Sequence, residues 1–248
     1  MDTKFDLVVY SDPCSIKNLA IDEMLFLKTI SSGIPYIRIW EQPALAIYIG
    51  ISQRWKKEVY QERCLKDRVP IIRRFSGGGA VIQHKGNINY TLTLPIGFFE
   101  ACRNISKSYL FILNFLNDIF RPLGLSLDLF GYSDFCLNGY KVSGNSQARR
   151  KQVVLCHGTL LTVPHISLIT HYLREPKVQP AYRKKKSHAN FVSDLKSEGY
   201  TLDFQTFSHL IKESSYIEKN ISLTDEDHAL SDKYVQDKYS QNTWNFKF

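Results

Sequence analysis

Hydrophobic positions along the chain alternate between two periods, and the switches mark its elements. Asp6-Leu7-Val8-Val9-Tyr10 is a short apolar run closed by Ser11-Asp12-Pro13, and it predicts a first strand. From Asn18 to Leu27 the spacing of Leu19, Asp22, Glu23 and Phe26 separates an apolar from an acidic face, predicting a helix that Gly33-Ile34-Pro35 ends. Tyr36 to Trp40 and Ala44 to Ile49 read as paired strands around Glu41-Gln42-Pro43, Glu58 to Lys66 as a helix, and Asn89 to Leu94 as a strand. Ser106 to Phe120 carries Tyr109, Ile112, Leu113, Leu116 and Ile119 near the 3.6 period of an amphipathic helix, with its aromatics directed to the core. Leu125 to Leu129 returns to strand. Asp134 to Leu137 and Lys141 to Ser143 form a hairpin through Asn138-Gly139. Gly144 to Lys151 is polar and basic and reads as a loop, mobile through Gln152 until a ligand orders it. Val153 to Val163 is another strand. Beyond Pro164 helices are expected at 166–173, 191–198, 204–214 and 225–239, the last capped by Thr224 with Asp227. This pattern predicts one α+β domain over residues 1–248, with helices outside a sheet and residues 166–248 as its mainly helical part.

Composition narrows the class. Apolar residues make up 44% and charged residues 23% of 248, an ordinary soluble balance. No apolar run approaches the length of a membrane span, and Met1 to Asp6 lacks a signal core. The five cysteines, at 14, 64, 102, 136 and 156, are scattered and unpaired in spacing, which suits a reducing cytoplasm and not a disulfide or zinc framework. A net charge of +8 calls for an acidic partner. The basic run Arg183-Lys184-Lys185-Lys186 lacks the interleaved aromatics that stack bases, so nucleic acid is not expected.

The densest chemical signal is Arg73-Arg74-Phe75-Ser76-Gly77-Gly78-Gly79-Ala80-Val81. Three glycines between an apolar run and a β-branched run predict a turn between strands, with no side chains to keep a ligand from the backbone. The arginine pair adds planar donors for carboxylate or phosphate, and the combination favours an anion site over a plain turn. Neither a Walker-type nor a dinucleotide glycine loop is present. Lys141, just past the Asn-Gly turn, reads either as an outward strand lysine or as an ammonium that neutralises developing charge. His157 adjoins Cys156, but neighbours in a strand face opposite ways, so they cannot form a dyad, and a hydrogen-bonded structural histidine is expected. No cluster of His, Cys, Asp and Glu has metal-ligand spacing.

Taken in order, the arginine–glycine stretch, Gly86-Asn87, Lys141-Val142-Ser143-Gly144 and His157-Gly158-Thr159-Leu160-Leu161 resemble the lipoate–protein ligase family of the biotin/lipoate ligase superfamily. The likeness extends from Asn18-Leu19-Ala20-Ile21-Asp22-Glu23 through Trp40 and Gly50 to Gln53, and more weakly past Ser187-His188. It implies a mixed, largely antiparallel sheet flanked by helices. It implies ATP, with Mg2+, and lipoate or octanoate as substrates, an acyl-adenylate, and transfer of the acyl group to a lysine of a lipoyl acceptor domain. That acceptor belongs to a 2-oxoacid dehydrogenase complex or is the glycine-cleavage H protein, and its typical acidity suits the basic charge. By resemblance Arg74, Gly79, Ala80, Val81 and Ile82 line the nucleotide site. Lys141 is the catalytic lysine, contacting acyl carboxylate and phosphate, and Asp134 lies near the adenine. Ser76, Gly77, Gly78 and Asn87 complete the first half of the binding set; Ser143, Gly144, His157, Gly158 and Thr159 complete the second.

Three departures from the family pattern stand out. Gln83-His84 replaces the common His-Asp. A chain ending at Phe248 leaves no room for the second C-terminal domain of some bacterial ligases, so a separate accessory chain, or a form that works without one, is expected. The sister octanoyltransferases use a cysteine to form an acyl-thioenzyme without ATP, and Leu125 and Ser126 stand where one branch has it, with no cysteine after Cys156 for the other. The alternatives are an ATP-independent octanoyl or lipoyl transferase and a non-catalytic homologue that binds lipoyl domains; biotin fits the glycine stretch less well.

Overall fold

The computed structural model describes residues 4–177 and 179–248, so the N-terminal start lies outside the described residues. Strands β1 (Phe5–Val9), β2 (Tyr36–Glu41), β3 (Ala46–Ile49), β4 (Ile71–Arg73), β5 (Val81–Gln83) and β6 (Asn87–Pro95) come first, with helices α1 (Ser15–Ser32), α2 (Trp55–Glu58) and α3 (Gln61–Lys66) between them. Helix α4 (Ile105–Phe120) leads to β7 (Asp128–Phe130), β8 (Asp134–Leu137), β9 (Tyr140–Arg150) and β10 (Val153–Leu161). The remainder is α5 (Ile166–Tyr172), α6 (His188–Phe191), α7 (Phe204–Lys212), β11 (Ile217–Asn220), α8 (Asp225–Tyr234) and α9 (Asn242–Asn245).

Eight strands form one sheet in the order β11-β1-β2-β6-β10-β9-β8-β7, and β4-β3-β5 form a second. The large sheet is parallel only where β1 meets β11 and β2, and antiparallel elsewhere, the mixed architecture expected. Residues of β6 sort by period two. Ile88, Tyr90, Leu92 and Leu94 join Phe5, Ile37, Phe115, Phe120 and Phe207 in the core beneath α4 and α7. Each such side chain, fully buried, contributes roughly 1.5–3 kcal/mol. The opposite face presents Asn89, Thr91 and Thr93 beneath α1, where Thr93 Oγ1 meets Thr29 Oγ1 at 2.6 Å. One face therefore holds the fold, and the other is polar enough to be a wall. Among the described residues no helix is long and apolar enough to cross a membrane.

Several expected elements differ. β2 and β3 are not a hairpin: both edges of β2 are taken by β1 and β6, and β3 lies in the small sheet. Buried Gln42 turns the chain away, accepting from Asn18 Nδ2 (3.1 Å) and Tyr48 Oη (2.9 Å) and donating to Ser15 Oγ (2.6 Å). The polar stretch 144–150 is strand, not a mobile loop, because Ser143 to Arg150 pairs in unbroken register with β10. Its polarity reflects what it faces. The turn is instead Lys151-Gln152, with φ of 46° and 62°, the left-handed pair that two-residue hairpins require. The helix expected over 58–66 breaks at Val59, which bridges Leu173. The one expected over 191–198 ends at Phe191, because Val192 bridges Lys141 and Ser193 N–H donates to the Lys141 carbonyl at 3.0 Å. The C-terminal part also supplies β11, against β1, and the last helix ends in a π turn over Val235–Tyr239. The Thr224–Asp227 capping box is present as read.

Candidate active site

A cavity of ≈700 Å³ opens between the polar face of β6, β10 and β9, the small sheet, and the segments 174–177 and 180–192. Leu19, Trp40, Leu161, Ile169 and Leu173 give it apolar wall, while Asn89, Thr91 and Thr159 line the sheet side. The alternation of polar Asn87, Asn89, Thr91 and Thr93 with apolar Ile88, Tyr90, Leu92 and Leu94 was the available sequence signal for that wall.

The glycine turn joins β4 to β5, but β3 lies between these strands, so the turn bridges the small sheet. Arg73 and Arg74 take opposite sides. Arg73 points away from the cavity, contrary to its expected role as an anion donor. Its Nη1 donates to the carbonyls of Gly50 (2.9 Å), Ile51 (3.1 Å) and Gln53 (2.8 Å), and its Nε and Nη2 to those of Trp244 (3.0 Å) and Asn245 (3.0 Å). Arg74 lines the cavity, with Nε on Ser76 Oγ (3.1 Å) and Gly77 O (3.0 Å) and Nη2 on Gly77 O (2.5 Å). Burial draws its pKa down to about 10, while the charge of Glu58 supports its own. Gly78 has φ +85°, and a Cβ there would lie 2.6 Å from the Arg74 guanidinium; a Cβ on Gly50 would strike Gly78 O at 1.9 Å. The turn's carbonyls are tied back, Gly77 O by Ser146 Oγ (2.8 Å) and Gly78 O by Gln53 Nε2 (3.1 Å). The Gly78 and Gly79 amides have no acceptor among the described residues. The Ala80 amide faces the Glu58 carboxylate, whose pKa burial raises. Amides without an acceptor and one guanidinium are groups from which an anion cradle can be built.

Lys141 stands on the cavity wall, its Nζ 2.7 Å from Asp134 Oδ1, and Asp134 also accepts from Tyr182 Oη. Gly144 leaves the space beside the lysine's end, 3.2 Å from a would-be Cβ. Basic Lys57, Arg174, Lys177 and Arg183 share the cavity, none of which was singled out from sequence as lining it. Arg183 opens the basic run 183–186 noted in the sequence, whereas Lys57, Arg174 and Lys177 carry no signal beyond single charges that look solvated.

Of the residues expected at the site, Arg74, Gly78, Gly79, Ala80, Val81, Ile82, Asp134, Lys141, Gly144, His157, Gly158 and Thr159 line this one cavity. Ser76, Gly77, Asn87 and Ser143 stand behind it. Ser76 Oγ meets His157 Nε2 at 2.6 Å, Asn87 Nδ2 donates to Ile82 O (2.9 Å), and Ser143 Oγ lies 3.1 Å from Tyr90 Oη. Gly158 is obligatory, because a Cβ there would meet Asn145 Oδ1 at 2.1 Å and Tyr90 Oη at 2.3 Å. Gln83 faces the cavity, bonded to Asn89 and Thr159, whereas the ring of His84 packs on His165. No cysteine lines the cavity among the described residues. Cys156 faces the α4 core, and burial drives its thiol pKa well up; Cys136 is pushed to about 12 and Cys102 to about 11 for the same reason.

This geometry can be set beside known proteins. A M. pneumoniae protein described as probable lipoate-protein ligase A is 30% identical over 235 residues, covering 92% of this chain and 67% of its own length. The octanoyltransferase LipM of Carboxydothermus hydrogenoformans is 26% identical over 267 residues, covering 96% of this chain and 98% of its own. In fold, the chain resembles T. acidophilum Ta0514 with bound lipoic acid (TM-score 0.81, 17% identity, 99% and 100% of the two chains). It also resembles lipoate-protein ligase A bound with ATP (TM-score 0.76, 19% identity, 98% and 99%). The profile of the lipoyl protein ligase A/B catalytic domain matches residues 15–215, most of the chain, and the protein belongs to that family.

Proposed function

We propose that this chain is an ATP-dependent lipoate–protein ligase, and the observation that carries the reading is what the cavity lining contains. Among its basic residues are Arg74, beside the glycine amides that have no acceptor, and Lys141, and among the described residues no thiol lines it to carry an acyl group. Lipoate or octanoate lies along the apolar wall with its carboxylate toward Lys141. A carboxylate oxygen attacks the α-phosphorus of ATP, the bond to pyrophosphate breaks, and acyl-AMP forms. The ε-amine of an acceptor lysine then attacks the acyl carbon, AMP leaves, and the amine loses a proton. Lys141 neutralises charge at the carboxylate and phosphate, and Arg74 with the Gly78 and Gly79 amides does so at the phosphate end. Mg2+ lowers the charge of the phosphates it accompanies. Among the described residues no group of three or more His, Cys, Asp or Glu is placed to hold a metal, and Mg2+ would be held largely by the phosphates themselves with one or two carboxylates at most. The acceptor is a lipoyl domain of a 2-oxoacid dehydrogenase complex or the H protein, and the +8 charge favours an acidic one.

The coverage of an octanoyltransferase over 98% of its length supports a second reading, ATP-independent transfer from an acyl carrier protein. Intact mass of an apo acceptor domain, after incubation with lipoate with and without ATP, separates the two. A lipoyl mass gain that requires ATP and is lost in Lys141→Ala is expected. A gain from octanoyl carrier protein alone would replace the ligase with the transferase.

A further inference from the structure

An unbroken polar chain starts on α1 behind the cavity wall, passes through the cavity-lining His157 and ends at the glycine turn. Asp22 is fully buried and faces Arg38, also fully buried, with Oδ1 2.7 Å from Arg38 Nη1. Its Oδ2 accepts from Thr91 Oγ1 (2.9 Å) and lies 3.3 Å from His157 Nδ1. The other ring nitrogen, Nε2, lies 2.6 Å from Ser76 Oγ, and Ser76 Oγ accepts from Arg74 Nε at 3.1 Å. Arg38 is itself fastened by the carbonyls of Asn18 (2.7 Å) and Tyr10 (3.1 Å) and by Asn18 Oδ1 (2.6 Å).

Ser, His and Asp in this order have the connectivity of a nucleophilic triad, but the surroundings rule that role out. Ser76 is 1% exposed and absent from the cavity lining, and its oxygen is already engaged by a guanidinium. The directions of the hydrogen bonds define another use. Asp22 accepts at both oxygens, so Nδ1 carries a proton toward it, and in the tautomer with its single proton there Nε2 accepts from the Ser76 hydroxyl. The Ser76 oxygen is then left to accept from Arg74. Each member has one orientation that satisfies its neighbours, and the last member is the guanidinium that faces the cavity.

We infer that Asp22 is a positioning residue, acting through His157 and Ser76 to hold Arg74 and the glycine turn in their anion-binding arrangement. Helix α1 thereby carries a part of the site without touching a ligand at this point. Breaking one link frees the Ser76 hydroxyl to rotate and loosens the Arg74 fork, while Lys141 at the other end is untouched. The role in turnover rests on the ligase reading; the ordering of the turn does not.

The test is hydrogen exchange of the turn amides that are bonded in ligand-free protein, Arg74 to Ile49 O (2.9 Å) and Gly77 to Gln147 O (3.4 Å), with thermal unfolding as the check on folding. Asparagine at 157 places a donor near Nδ1 and glutamine an atom near Nε2, so each keeps one half of the relay. His157→Asn, His157→Gln and Ser76→Ala should each speed exchange in the turn by about tenfold, the size of one charge-assisted hydrogen bond. Asp22→Asn should do the same in the otherwise native chain but add nothing in a Ser76→Ala background. Equal acceleration in both backgrounds, or none in any folded variant, would overturn the relay. If Asp22→Asn does not fold, the two His157 variants, alone and with Ser76→Ala, carry the same comparison. For turnover, the KM for ATP should rise with kcat changed less. A protein without ATP-dependent ligation but with the coupled exchange pattern would sink the ligase reading and leave the relay standing.

Discussion

Arg73 and Arg74 are adjacent in one chain, chemically identical, and used for opposite purposes. Arg73 leaves β4 on the far side and gathers five carbonyls from 50–53 and from the C-terminal segment, while Trp244 Nε1 returns a bond to Arg73 O at 2.8 Å. Asn245 Oδ1 accepts the Arg73 amide at 2.8 Å, so the end of the chain is stitched to the back of the glycine turn. Arg74, one residue on, faces the cavity and braces the turn from the front. All three guanidinium nitrogens of each arginine donate to carbonyls, those of Arg74 to Gly77 O and Tyr48 O, so what separates the two is that Arg73 has no place in the cavity lining. A guanidinium that keeps a face toward an open cavity can still bind an anion. The pair teaches that strand parity, which a one-residue step reverses, decides whether the same residue type is bound up against the protein or faces an open cavity.

The largest effect that would sharpen this contrast is expected at the front. Arg74→Ala should lower kcat/KM for ATP-dependent acyl transfer by roughly 10²–10³, as loss of a preorganised donor does. Arg74→Lys should not restore it, since one ammonium cannot reproduce the fork. Near-normal turnover in either variant would remove Arg74 from the site. At the back, Arg73→Ala should cost about 2–4 kcal/mol in urea unfolding, because several carbonyls lose their donor together. It should also make the segment after Tyr239 sensitive to protease while the folded fraction keeps its KM for ATP. A large KM change with unaltered stability would break the comparison by giving Arg73 a ligand role.

The smallest effect concerns Glu58, which faces the Ala80 amide and the charge of Arg74. Burial raises its carboxyl pKa above the unfolded value, so folding favours the protonated acid. Its cost to stability is absent at pH below the unfolded glutamate pKa and grows as pH rises through the folded one. Glu58→Gln should therefore raise the melting temperature slightly at neutral pH and not at acid pH. It should also tighten nucleotide binding several-fold, by removing a negative charge from the cradle. Weaker binding in a titration of ATP would show instead that the carboxylate holds the turn open for its ligand.

Much of this was visible before any coordinates. The strand–turn–strand around Gly77 to Gly79, the long α4, the Asn138-Gly139 turn and the Thr224 cap follow from short-range rules, since each depends on residues within one turn or one strand. The misreadings share one cause. Residues 144–150 look like a loop because they are polar, yet Gly144, Asn145 and Ser146 line the cavity and Arg149 is tied to Cys102 O and Ser108 Oγ. The stretch 191–198 has helical character locally, yet Val192 and Ser193 are claimed by Lys141. Gln42 breaks an expected hairpin by bonding to α1.

The chain's own sequence determined the glycine turn with arginine beside it, the lysine past an Asn-Gly hairpin, and the scattered thiols, because those are properties of residue type and local spacing. Tertiary structure alone decided which arginine faces the cavity, that Asp22 on α1 reaches Ser76 through a histidine more than a hundred residues away in sequence, and that Cys156 is sealed in the core. The reason is physical: parity, burial and hydrogen-bond partners are set by strand register across β2, β6, β9 and β10, and register is decided by long-range pairing that no local window contains.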